Sequence, residues 1–148
     1  MGSTGRMPAT TRKGMTMRVI DLAQIPRMEI DQYGSRGFHW GWLTREGHMG
    51  HSVARLEPGG RIGRHPTVGN QLMIVVAGVI EASGEDGHGE RVEQGQAVVW
   101  DHGEQHATVA TSEGALLVLI EGAFATWPDT AQVPTAQDLD EDASAPER

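Results

Sequence analysis

Between Met17 and Trp127 the apolar residues come in short blocks, several alternating with polar ones, and glycine-rich clusters part the blocks. A repeat of two marks a strand with one buried face, and no stretch sustains the 3.6-residue period of a long helix. The pattern predicts strands at 18–22, 36–44, 50–57, 61–64, 71–77, 78–82, 90–93, 96–101, 105–110 and 115–121. Glu57-Pro58-Gly59-Gly60, Ala77-Gly78, Gly84-Glu85-Asp86-Gly87 and Glu93-Gln94-Gly95 supply turns between strands, because glycine accepts the positive φ that tight turns require. So many short, punctuated strands predict an all-β sandwich or barrel. In the second of them Phe38, Trp40 and Trp42 share one face and His39, Gly41 and Leu43 the other. That aromatic row has to be covered, either by the core or a subunit interface, or as the wall of a ligand pocket.

Composition changes the picture mainly at the two ends. Residues 1–16 are basic and lack the apolar block of a secretory signal, so they read as a flexible leader. Residues 128–148 hold prolines, small polar residues and acids, with net charge −5 from Asp129 onward, and too few large apolar side chains to offset ordering entropy. They read as a disordered acidic tail, which leaves 17–127 as one folded domain.

The 148 residues carry net charge −8, and Lys and Arg form no dense patch, so a nucleic-acid partner is not expected. No apolar stretch approaches the ~20 residues that cross a bilayer as a helix, so no membrane partner is expected either. The absence of cysteine excludes disulfides and thiolate chemistry and points to a reducing, cytoplasmic setting. Any metal must then be held by nitrogen and oxygen. No nucleophile elbow or phosphate-binding loop occurs.

The most informative spacings are Gly59-x5-His65-x-Thr67-x3-Gln71-x6-Gly78 and Gly95-x5-Asp101-x-Gly103-x2-His106-x3-Ala110. They resemble the two motifs of the cupin superfamily, G-x5-H-x-H-x3,4-E-x6-G and G-x5-P-x-G-x2-H-x3-N. Glycines and two histidines match, while Thr67, Gln71, Asp101 and Ala110 depart. The resemblance implies a double-stranded β-helix, or jelly-roll barrel, with a ligand cavity inside one end, and a homodimer. It also implies that His65, Thr67, Gln71 and His106 occupy the positions at which cupins hold a divalent metal with three histidines and a glutamate.

Iron, nickel, manganese, copper and zinc are the metals to expect for such a donor set, weakened because Thr67 is a poor neutral ligand and Gln71 deletes a charge. The alternative is a metal-free pocket in which His65, Gln71 and His106 bond directly to an organic ligand. His48 and His51 precede the strand that neighbours the motif strands, and alternation places His51, Val53 and Arg55 on one face, with Ser52, Ala54 and Leu56 on the other. If the first face points inward, His51 joins the site and Arg55 offers a cation to a carboxylate or phenolate; otherwise both face solvent. Trp40 and Trp42 are the aromatic candidates for the pocket wall. His88, His102, Arg61 and Arg64 read as surface residues. Glu57, Glu104 and Glu121 could act as acids or bases, but no paired spacing singles one out.

Two functions follow from the resemblance. One is a metal-dependent enzyme of the dioxygenase, isomerase or cyclase type, acting on a small carbonyl-bearing or phenolic molecule, as in cupins of secondary metabolism that use a histidine-and-glutamine zinc site. The other is a non-catalytic barrel that binds a small organic ligand.

Overall fold

The computed structural model describes residues 17–46, 49–122 and 134–138. Seven strands, β1 (Met28–Ile30), β2 (Arg36–Glu46), β3 (Met49–Pro66), β4 (Asn70–Ser83), β5 (Gly89–Glu93), β6 (Ala97–Trp100) and β7 (Gln105–Gly122), pair antiparallel in the order β1-β2-β3-β7-β4-β5. β6 shares the outer edge of β4 with β5: it pairs with Gln71–Ile74, and β5 with Val79–Ser83. This is the all-β architecture that the alternation and turn spacing predict, in the jelly-roll form that the cupin resemblance implies.

Three pairs of short predicted strands are single long strands that bend. The register slips between Leu56 and Arg61 in β3, and between Val75 and Ile80 in β4, at the two places where Glu57–Gly60 and Ala77-Gly78 are predicted to reverse the chain. These glycines make corners within strands instead, because the ladder to β7 resumes on both sides. Gly78 shows why: its φ is +83°, and a Cβ there would lie 2.1 Å from the carbonyl oxygen of Gly114, the matching corner of β7.

The corners of β4 and β7 also switch which alternate residues look inward, whereas across the β3 corner Leu56 and Ile62 keep the same parity. In β4 the inward set is Gln71, Met73 and Val75, then Ile80 and Ala82; in β7 it is His106, Thr108 and Ala110, then Ala115, Leu117 and Leu119. These residues, with Phe38, Ala54, Leu56, Ile62 and Trp100, enclose the core. A fully buried leucine such as Leu117 contributes roughly 1.5–3 kcal/mol.

Before β1 the chain departs from the predicted strand at 18–22. Asp21 Oδ1 accepts from the backbone N–H of Ala23 at 3.0 Å and caps a 3-10 turn over Leu22–Gln24. A side chain that bonds its own backbone competes with strand pairing, and among the described residues no strand pairs with this segment to reward extension. The expectations for the leader, for His48 and for most of the tail lie outside the described residues. Within the tail, residues 134–138 are exposed and form one turn, in which the Asp138 N–H donates to the Thr135 carbonyl at 3.1 Å. Among the described residues no helix is long and apolar enough to cross a membrane.

Candidate functional site

The antiparallel register of β3 on β7 sets His65 directly opposite His106, with ring centroids 4.3 Å apart and planes at 51°. β6 brings Trp100 to the far side of His106, 4.6 Å between centroids, and Tyr33 stacks on His65 at 4.7 Å with planes only 9° apart. His65 Nδ1 donates to the Gly63 carbonyl at 2.7 Å, so in the neutral ring Nε2 keeps the lone pair. His106 is 2% exposed, and its Nδ1 finds no hydrogen-bond partner among the described residues. Burial first, and the neighbouring His65 second, lower its pKa to about 4.

Gln71 enters from β4, where its register partners are Trp100 on β6 and Glu121 on β7. It is 4% exposed; its Nε2 donates to the Glu121 carboxylate, and its Oε1 has no partner among the described residues. Burial raises the Glu121 pKa above the ordinary carboxylate range, offset in part by the Gln71 hydrogen bond and then by His65.

These side chains line a cavity of about 220 Å³ whose apolar walls include Phe38, Trp40, Ile62, Met73 and Leu119. The segment Ile30–Ser35 makes its remaining side through Ile30, Gln32, Tyr33 and Ser35. Tyr33 sits in a 3-10 turn (Gln32–Gly34) with φ 59°, a left-handed conformation unusual for a non-glycine residue. Three contacts hold the turn there. Ser35 Oγ accepts from the Gly63 N–H at 2.8 Å, Arg61 Nε donates to the Gly34 carbonyl at 2.9 Å, and the Tyr33 carbonyl lies over Gly63 so closely that a Cβ would be 1.7 Å from it.

His65, Gln71, His106 and Trp40 are thus brought to one cavity, whereas Thr67, His51, Arg55 and Trp42 are not among its lining residues. Thr67 is buried but spends its hydroxyl on the Asp101 carbonyl at 2.6 Å, and its backbone bonds Glu104 and Gly103, so it clamps the 101–104 loop. The inward face of β3 is Ser52, Ala54 and Leu56; Arg55 is exposed, and His51 Nδ1 pairs with Thr44 Oγ1 at 2.9 Å. Trp42 is 41% exposed, with a register slip following it, its ring beside Gly50 and the Arg45 guanidinium 5.1 Å from its centroid. His88, His102, Arg61 and Arg64 are exposed.

Sequence reasoning weighs Glu121 as an acid or base without placing it at the cavity, and it does not raise Tyr33. Glu121 continues the alternation of Leu117 and Leu119, a signal that was there to read. Tyr33 depends on a left-handed turn that no spacing announces.

Among the described residues no group of three or more His, Cys, Asp or Glu side chains is placed to hold a metal ion. A divalent metal would therefore rest on two imidazoles, His65 and His106, with the Gln71 amide oxygen as third donor. The unpartnered buried atoms of His106 and Gln71 suit that use, and imidazole suits zinc, copper, iron and nickel.

The cupin domain family model matches residues 52–121. No protein of curated function matches the chain in sequence. Among solved structures, the cupin domain of Schizosaccharomyces pombe Cnp3 is similar at TM-score 0.60 and 13% identity, covering 70% of this chain and 72% of that one. A predicted oxalate decarboxylase from Thermotoga maritima has TM-score 0.62 and 17% identity, covering 72% of this chain and 100% of that one. The polyketide cyclase RemF from Streptomyces resistomycificus has TM-score 0.60 and 17% identity, covering 75% and 88%. The match across both motifs, on a barrel shared with these structures, makes the chain a member of the cupin superfamily.

Proposed function

We propose that the chain is a divalent-metal-dependent enzyme of the dioxygenase, isomerase or cyclase type, with a small carbonyl-bearing or phenolic substrate. The observation that carries this reading is the meeting of His65, His106 and Gln71 at one half-open cavity, where His106 Nδ1 and Gln71 Oε1 lack partners among the described residues. Iron, nickel, manganese, copper or zinc, when bound, supplies Lewis acidity toward a carbonyl or phenolate oxygen. The chain's own part is to hold and orient. A pKa of about 4 keeps the His106 ring unprotonated at neutral pH, as a ligand must be. The cavity of about 220 Å³ falls below the roughly 300–1,000 Å³ of drug-sized sites, which suits a molecule of about one ring. Tyr33 and Trp40 give such a ring flat walls, and Phe38, Met73 and Leu119 keep water from it. The structural neighbours named for polyketide cyclisation and oxalate decarboxylation support carbonyl chemistry. The same reading sets the protein in the cytoplasm as a homodimer.

Metal analysis of protein purified without chelator tests it. Divalent metal on the native chain and its loss in His106→Ala are expected; an empty native chain, or loading unchanged by the substitution, overturns the proposal.

A second reading has an observation of its own. With Thr67 turned to the Asp101 carbonyl and Gln71 neutral, only two imidazoles face the cavity, which favours a metal-free barrel that binds an organic ligand through hydrogen bonds. Thermal-shift screening separates the two: stabilisation by metals alone favours the enzyme, and stabilisation by organic acids or phenols alone favours the binder.

A further inference from the structure

The three donors at the cavity share a weakness. Two neutral imidazoles and an amide bring no negative charge, and a divalent cation in a largely apolar pocket is costly without charge compensation. The cavity does contain a carboxylate. Glu121 is the only acidic residue lining it among the described residues, and it stands opposite Gln71 in the β4–β7 register with its oxygen on the Gln71 Nε2.

That contact settles a geometric question. A glutamine amide can present either its oxygen or its nitrogen to a site, and only the oxygen has a lone pair for a metal. A carboxylate accepts and cannot donate, so it selects the rotamer in which Nε2 faces Glu121 and Oε1 is released to the other side. Oε1 is indeed the atom left without a partner. An anionic acceptor also strengthens the hydrogen bond and polarises the amide, adding electron density at Oε1.

We infer that Glu121 is a positioning residue for the metal site: through Gln71 Nε2 it fixes Oε1 as the ligand atom and lends that neutral ligand the negative charge it lacks. This rests on the metal-dependent reading above. The sequence carries the arrangement in a form the two motifs do not show, since position 121 lies outside both and meets position 71 only through the sheet.

The test is Zn²⁺ affinity, measured by competition with a chromophoric chelator on the full chain, for native protein, Glu121→Gln, Gln71→Ala and the double variant. Thermal unfolding of the metal-free forms checks that each is folded. Glu121→Gln is expected to weaken Zn²⁺ binding about 10–100-fold, the usual loss when a group supporting a metal ligand is removed. In the Gln71→Ala background the same substitution should cost much less, because the residue through which it acts is gone. Native affinity in Glu121→Gln, or losses that multiply independently, overturns the role of Glu121 while leaving the metal reading intact. A native chain that binds no Zn²⁺ overturns both.

Discussion

Replacing Gly63 by alanine tests how the cavity is closed. Gly63 lies under the Tyr33 carbonyl, and a Cβ would sit 1.7 Å from that oxygen and 2.6 Å from its carbon. Carbon and oxygen in contact lie at about 3.3 Å or more, so the turn carrying Tyr33 must retreat by about 1.5 Å. That movement breaks the 2.8 Å hydrogen bond from the Gly63 N–H to the buried Ser35 hydroxyl and separates the Tyr33 ring from His65. Overpacking of this kind costs about 1–3 kcal/mol, and the lost hydrogen bond adds about 1 kcal/mol. For a folded body near 100 residues the sum corresponds to a fall in Tm of roughly 10–20 °C.

The comparison is Gly59→Ala. Gly59 has φ +72° but no atom within 4 Å of a built Cβ, so alanine there bears only left-handed backbone strain, about 1–2 kcal/mol. Urea denaturation reads the stability of both variants, and NMR reads the His65 ring protons, which a stacked Tyr33 shields. Gly63→Ala should lose stability and move the His65 resonances; Gly59→Ala should lose stability and leave them in place. Native stability in Gly63→Ala, or unmoved His65 signals, refutes the packing argument.

Two further outcomes follow from the same geometry. Thr67→Val removes the donor to the Asp101 carbonyl and should cost about 1–2 kcal/mol in urea denaturation, with the metal content of the purified protein unchanged, since Thr67 holds a loop and not a ligand. Acid should destabilise the protein through His106. With a pKa of about 4 in the folded state, below the ordinary 6.5, the unfolded chain binds the proton more readily, so stability is full above about 6.5 and falls as the pH drops toward 4. The contribution is up to about 3 kcal/mol, and His106→Gln should flatten the slope in pH-dependent denaturation. Glu121 works in the opposite sense, because burial raises its pKa and the folded chain binds that proton more readily; Glu121→Gln should steepen the acid loss.

Much of this molecule could be read from the chain because strand period and motif spacing encode register. His65 and His106 are far apart in sequence, yet their places relative to the corner glycines make them cross-strand partners. Alternation alone did not say which face of 50–57 looks inward, and physical chemistry explains why. Val53 on the outer face is as fully buried as Ala54 on the inner one, and its register partner Gly41 lies against the Pro26 carbonyl, so both faces read as apolar. That ambiguity left His51 and Arg55 as candidates conditional on which face turned inward, and neither lines the cavity. Thr67 stayed open for another reason: a hydroxyl at a ligand position looks the same in sequence whether it meets a metal or, as here, a carbonyl. Short β1 was missed because three residues carry no period, and it forms only against the edge of β2.

The parity switch at the corners of β4 and β7 has a consequence for how such a chain can change in length. Surface loops usually absorb an inserted or deleted residue without harm, but the bend between Ala110 and Ala115 decides whether Leu117, Leu119 and Glu121 face the interior or bulk water. Losing one residue there would turn the entire second half of β7 inside out, apolar side chains and carboxylate together, while losing two would restore the orientation. The corner works as a reading frame for the barrel, and a single-residue frameshift within it would empty the cavity of its acid without touching any residue that lines it.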